Sequence, residues 1–163
     1  MDIIPDEEFD NYLYIGESLD DSGTLKVLES LLCFKGGKIY QARNDHYAEA
    51  RAILENRNIK VLLIDQYLNS GNGIDLMLTM QEFASVATIV VVMSDLSIDI
   101  IVALEAGATD AVYAGINPRE LAARIHVAGR NGYRNSTGHL QSAHSKAAQE
   151  HNKSRLPVYY IES

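Results

Sequence analysis

The chain has one cysteine, three prolines and no tryptophan. A lone Cys33 excludes an internal disulfide and fits a reducing cytoplasm, the expected location. No apolar run approaches the roughly 20 residues that cross a bilayer, so no membrane partner is expected. Neither C-x-x-C nor H-E-x-x-H occurs, which removes the usual signatures of structural zinc and zinc proteases. The opening "MDIIPDEEFDNY" has no basic or strongly apolar region, so no secretory signal is read there. Positive charge is also scarce. A net charge of −8 argues against nucleic-acid binding through this domain. The charge is uneven: within 131–163, Arg134, Lys146, Lys153 and Arg155 outnumber Glu150 and Glu162, leaving the tail at +2 and the body at −10. Clustered carboxylates of such a body become favourable when a divalent cation neutralises them.

What is present is ordinary globular composition, 47% hydrophobic and 22% charged over 163 residues, enough for one domain and an appendage. Four segments have strand character: "YLYI" (12–15), "KIYQA" (38–42), "KVLLID" (60–65) and "ATIVVVM" (87–93), with a weaker fifth, "DAVYA" (110–114). The third and fourth are nearly continuous Val/Ile-rich runs, the pattern of strands covered on both faces. Helical periodicity fills the gaps. "SGTLKVLESLL" puts Leu25, Leu28, Leu31 and Leu32 on one face, and "NDHYAEARAIL" turns Ala48, Ala52 and Leu54 inward after an Asn/Asp cap. "GIDLMLTMQEF", "SIDIIVALEA" and "NPRELAARIHVAG" complete the set, the last with Asn117 as N-cap and Pro118 at the first helical position. Strand and helix thus alternate five times. The expected fold is α/β, a five-stranded parallel sheet with helices on both faces and right-handed connections. Its domain should span 11–130, between an extension (1–10) and a polar tail (131–163). That tail holds His139, His144 and His151 at irregular spacing, read as solvated surface.

In "LLIDQYLNSGNG" a buried strand runs straight into Asp65. Burying a carboxylate costs several kcal/mol, on the order of what pairing or a metal returns. In such sheets ligands bind beyond the carboxyl ends of the strands. Asp65 therefore either caps a turn at the rim or belongs to a site.

The strand-helix order, the "LLID" strand end, Gly73 eight residues after Asp65, and "EAGATDAVYAGINPRELAARI" together resemble the CheY-like receiver domain of two-component response regulators, over about residues 11–130. The resemblance implies a flavodoxin-like, doubly wound fold. It also implies a phosphoacceptor role for Asp65, which would take its phosphoryl group from a histidine kinase or a phosphotransfer protein. Mg²⁺ would be held by Asp65, by the backbone carbonyl of Tyr67 and by acidic residues after the first strand. In "YIGESLDDSGTL" the strand register points to Glu17 and the helix register to Asp20, with Asp20 equally able to cap the first helix. Ser94, at the end of the fourth strand, matches the hydroxyl that bonds the phosphoryl oxygen, although it could also cap the next helix, for which Ser97 is better placed.

The chain departs from the family at the fifth strand. Ala114 and Gly115 replace the usual Lys–Pro pair, and Ala111 stands where the switching Tyr or Phe belongs. An ammonium beside a phosphoryl group is worth about 1–3 kcal/mol as a charge-assisted bond. The last helix is similar to that of the winged-helix transcription-factor class, which implies a homodimer face with Glu105, Asp110, Glu120 and Arg124 in ion pairs. Two functions follow as expectations. One is a phosphorylatable receiver controlling a partner or an output domain, transcriptional by that likeness. The other is a phosphorylation-independent pseudo-receiver that works as an interaction or dimerisation module. No enzyme activity of its own is expected: Tyr67 is not the second carboxylate of an Asp-nucleophile phosphohydrolase, and no G-x-G-x-x-G follows the first strand.

Overall fold

The computed structural model describes residues 9–20, 23–43, 47–82 and 84–136. The elements are β1 (Asn11–Ile15), α1 (Thr24–Leu32), β2 (Ile39–Ala42), α2 (Tyr47–Asn56), β3 (Ile59–Asp65), β4 (Tyr67–Leu68), β5 (Gly71–Asn72), α3 (Gly73–Gln81), β6 (Ala87–Val92), α4 (Ser97–Glu105), β7 (Asp110–Tyr113) and α5 (Pro118–Ser136). Five strands form one parallel sheet in the order β2-β1-β3-β6-β7, as the alternation of strands and helices predicts. The expected strand ends agree with the observed ones to within a residue. The weak fifth segment is a full member, paired through Ile89–Asp110 to Val92–Tyr113.

Strand alternation divides the core in two. Tyr12, Tyr14, Val61, Leu63, Ile89 and Val91 face α1 and α5, packing on Leu28, Leu32, Leu121 and Ile125. Leu13, Ile15, Leu62, Ile64, Val90 and Val92 face the other way, onto Ala50 and Leu54 of α2, Met77 and Met80 of α3, and Ala103 of α4. In β3 and β6 both faces are covered, which is why they carry continuous apolar runs.

Some local expectations change. Ala52 is exposed, and the inward face of α2 is carried by Ala50, Leu54 and half-buried Ile53; an Ala50–Leu54 stripe follows the helical i, i+4 spacing. The side chain of Ala48, the Asn44/Asp45 cap and the tail histidines lie outside the described residues. Gly23, in a left-handed conformation, occupies the N-cap of α1, so Asp20 does not cap that helix. Ser97 is the first residue of α4, with Leu96 at the N-cap and no side-chain capping bond. Asn117 does cap α5, accepting from the Arg119 amide at 2.9 Å. That helix continues to Ser136, past the boundary drawn at 130.

The chain crosses from one side of the sheet to the other between β1 and β3, opening the mouth where α/β sheets bind ligands. Leu63, fully buried one register before that mouth, carries the α1/α5 layer. Leu63→Ala should lower stability by about 2–5 kcal/mol, read as a shifted urea midpoint with unchanged slope.

Candidate functional site

Asp65 ends β3 at this mouth and is 3% exposed. Hydroxyl and amide donors hold its carboxylate. Tyr14 donates its hydroxyl across both oxygens, at 3.0 and 3.1 Å. The Ser18 hydroxyl reaches Oδ1 at 2.6 Å, and the amides of Glu17 and Ser18 reach Oδ2 at 3.1 and 2.9 Å. Two consecutive amides pointing at one oxygen make a small anion cradle. Tyr14 can reach the carboxylate because it lies on β1, next to β3, with its ring in the α1/α5 core. Its oxygen in turn accepts from the Leu19 amide at 3.0 Å.

Glycine shapes the mouth at two positions. Gly16 has φ +141°, and a Cβ there would lie 2.3 Å from Asp65 Oδ2. At Gly73 a Cβ would lie 1.8 Å from the Asp65 carbonyl oxygen, a backbone clash with no side chain to yield. The spacing between Asp65 and Gly73 is therefore a steric requirement of the loop, which folds back as an antiparallel hairpin of β4 and β5. Buried Gln66 secures this return: its carbonyl accepts from the Gly73 amide at 2.7 Å, and its amide donates to Val91 at 2.8 Å.

The sequence-derived candidates fall as follows. Glu17 directly follows Gly16 and its side chain is exposed, while its amide serves Asp65. Asp20 accepts from Gln41 Nε2 at 2.8 Å and lies 3.7 Å from the Arg43 guanidinium, so its bonds run toward β2. Tyr67 opens the hairpin with an exposed ring, and its backbone pairs with Asn72. Ser94 bonds the Asp99 carboxylate of α4 and accepts weakly from the Leu96 amide. Ala114 extends the sheet through its amide to Val92 and packs against the α1/α5 core, and Ala111 is buried on the opposite face. On the outer surface Arg124 pairs with Asp110 at 3.0 Å and with Glu120 at 3.2 Å, contacts that hold its guanidinium charge more firmly. Glu105 ends α4, half-buried. Sequence reasoning overlooked Tyr14, Gly16 and Ser18. A tyrosine within a strand covered on both faces was the available signal, since its hydroxyl must find a partner.

A model of the response regulator receiver domain matches residues 20–126. The chain belongs to this family. The receiver is 32% identical over 105 residues to the aerobic respiration control protein ArcA of Escherichia coli K12, covering 64% of this chain and 43% of ArcA. It is 26% identical over 144 residues to the transcriptional regulatory protein CpxR of the same strain, covering 88% of this chain and 56% of CpxR. It thus spans about half the length of these curated relatives. Among solved structures, a CheY-like receiver domain protein from Methanospirillum hungatei JF-1 superposes with TM-score 0.64 at 22% identity, over 78% of this chain and 99% of that one. The BeF3-activated N-terminal receiver domain of RstA from Klebsiella pneumoniae gives 0.61 at 17%, over 74% and 99%. These likenesses establish a shared fold. No helix among the described residues is long and apolar enough to cross a membrane.

Receivers generally bind Mg²⁺ at an acidic site, so the donor set matters here. Gly16 supplies no side chain, Asp20 is bonded toward β2, and both Asp65 oxygens already accept hydrogen bonds. Among the described residues no three His, Cys, Asp or Glu side chains gather closely enough to hold a metal ion. As arranged, these residues do not fit the ion.

Burial and the neighbouring Asp65 charge push the Tyr14 phenol far above its ordinary value, and burial with Asp10 pushes Tyr12 up to about 12. The fold holds both phenols neutral. That contribution is complete below the unfolded value of about 10 and is lost as pH rises through about 12 for Tyr12, with Tyr14 shifted in the same direction. Ultraviolet titration of the nine tyrosines should show these two ionising only with alkaline unfolding. Their titration with the exposed tyrosines, while far-ultraviolet dichroism is intact, would contradict the burial.

Proposed function

We propose that this receiver is a pseudo-receiver, an interaction module of two-component signalling that pairs with a second copy through its α4–β7–α5 face without phosphorylation. The observation that carries this reading is the apolar surface of α4. Ile98, Ile101, Val102 and Leu104 are each 41–52% exposed, and Ala103 is the one buried residue of that helix. Beside them a groove of about 700 Å³ runs over β7, floored by Ala111, Tyr113 and Ile116 and edged by Asp110, Glu120 and Arg124. Contiguous exposed apolar surface with a polar rim is the usual form of a protein interface. Arg124 between Asp110 and Glu120 supplies charges that fix register more than affinity. A two-fold pairing of identical faces would cover α4 on both copies at once.

The transcriptional relatives support an output in transcription, through a further domain or a partner. Missing lysine and switch aromatic, at Ala114 and Ala111, support a readout independent of a histidine kinase. Light scattering on the chain, with neither Mg²⁺ nor a phosphoryl donor, should give a dimer. Ile101→Asp should weaken it by about 100-fold or more while leaving the fold intact. A wild-type monomer at high micromolar concentration would refute the pairing.

A further inference from the structure

We infer that Asp65 is a structural keystone of the β1–α1 turn, and that its carboxylate fills from within the space that a metal ion and a phosphoryl group would need. The inference deepens the phosphorylation-independent reading above but rests on different residues.

Four donor groups converge on this one side chain: the Tyr14 and Ser18 hydroxyls and the Glu17 and Ser18 amides. Three of the four, the Ser18 hydroxyl and the Glu17 and Ser18 amides, come from the turn after β1, so the carboxylate ties residues 17 and 18 to the end of β3. Tyr14 extends the tie to Leu19, whose amide bonds the phenol oxygen. From the far side Gln41 donates to the Gly16 carbonyl at 3.0 Å and to Asp20 at 2.8 Å. The turn is thereby fastened to both neighbours of β1.

The position of the carboxylate depends on what is missing at residue 16. Family members carry acids after the first strand, and here Gly16 follows Ile15 directly. A side-chain carbon at 16 would stand 2.3 Å from Oδ2 and 2.4 Å from the carboxyl carbon, so any other residue would drive Asp65 out of its cradle. Gly16, Tyr14 and Ser18 are therefore one device. The glycine opens the space, the carboxylate enters it, and the two hydroxyls with two amides replace the water it gives up. A nucleophilic oxygen must present a lone pair outward, in line with phosphorus. Both oxygens here are turned into the turn and 3% of the residue reaches solvent.

The sign of a stability change separates a keystone from an acceptor. In a working acceptor site, loss of the carboxylate leaves stability unchanged or raises it, because catalytic groups are held against their own preference. In this chain Asp65→Ala and Tyr14→Phe should each reduce the folded-to-unfolded ratio about tenfold or more. The double variant should show coupling of about fivefold or more, because both changes break one network. If Asp65→Ala does not fold, Tyr14→Phe and Ser18→Ala, which keep the backbone and most of the packing, form the cycle instead. Intact mass of the wild-type chain after incubation with Mg²⁺ and acetyl phosphate should show no added phosphoryl group. Unchanged or higher stability in both Asp65→Ala and Tyr14→Phe would overturn the inference, as would a phosphoryl adduct lost in Asp65→Asn. A monomer in which these variants are destabilised would remove the pairing and keep the keystone; a dimer in which they are not would do the reverse.

Discussion

A carboxylate enclosed by protein must have every oxygen satisfied, and that requirement organises the mouth of this sheet. Asp65 is buried, and the bonds that hold it come from hydroxyl and amide groups. Hydrogen bonds of this charged kind are the stronger sort, about 1.5–3 kcal/mol each where well formed. They act on a turn whose own backbone bond runs from the Asp20 amide to the Glu17 carbonyl at 3.1 Å, and Asp65 adds the tie that holds residues 17 and 18 to β3. That tie in turn follows from the absence of a side chain at Gly16.

The surrounding scaffold makes such a device possible. Two covered faces leave β1 and β3 rigid and in register, Leu13 with Leu62 and Ile15 with Ile64. Tyr14, one residue short of the strand end, therefore lies opposite Leu63, with its ring in one core and its hydroxyl reaching on to Asp65, the last residue of β3. On the opposite loop Gly73 lets the chain pass against the Asp65 carbonyl, and Gln66 pins the return. The same scaffold leaves α4 thinly embedded. One buried alanine anchors it, and the apolar residues around that anchor face outward beside the Arg124 ion pairs. A helix of this kind presents apolar surface to solvent, while the Ser94–Asp99 bond ties its first turn to the end of β6. In a family where the site usually speaks to this surface through a lysine and an aromatic switch, Ala114 and Ala111 both serve as packing residues.

How much of this was legible depends on the range over which each signal acts. Runs such as "VLLID" and "TIVVV" marked strands covered on both sides because burial imposes composition residue by residue, and Pro118 after Asn117 marked the start of α5 because capping is local. The β4–β5 hairpin escaped because two-residue strands carry no period. Ala52 fits the inward stripe of its helix by period yet is exposed, because alanine is neutral in either setting, and Ser97 lies one residue too far on to cap α4.

By itself, then, the order and composition of the segments determined the layered α/β architecture, the strand that delivers Asp65 and the absence of lysine at 114. Only the folded chain decided which atoms meet at the mouth. Tyr14 and Asp65 are 51 positions apart and Ser18 and Asp65 are 47 apart, so no local pattern records their bonds. Their meeting depends on the parallel register of β1 and β3 and on a contact distance at Gly16, quantities that exist only once three elements have packed together.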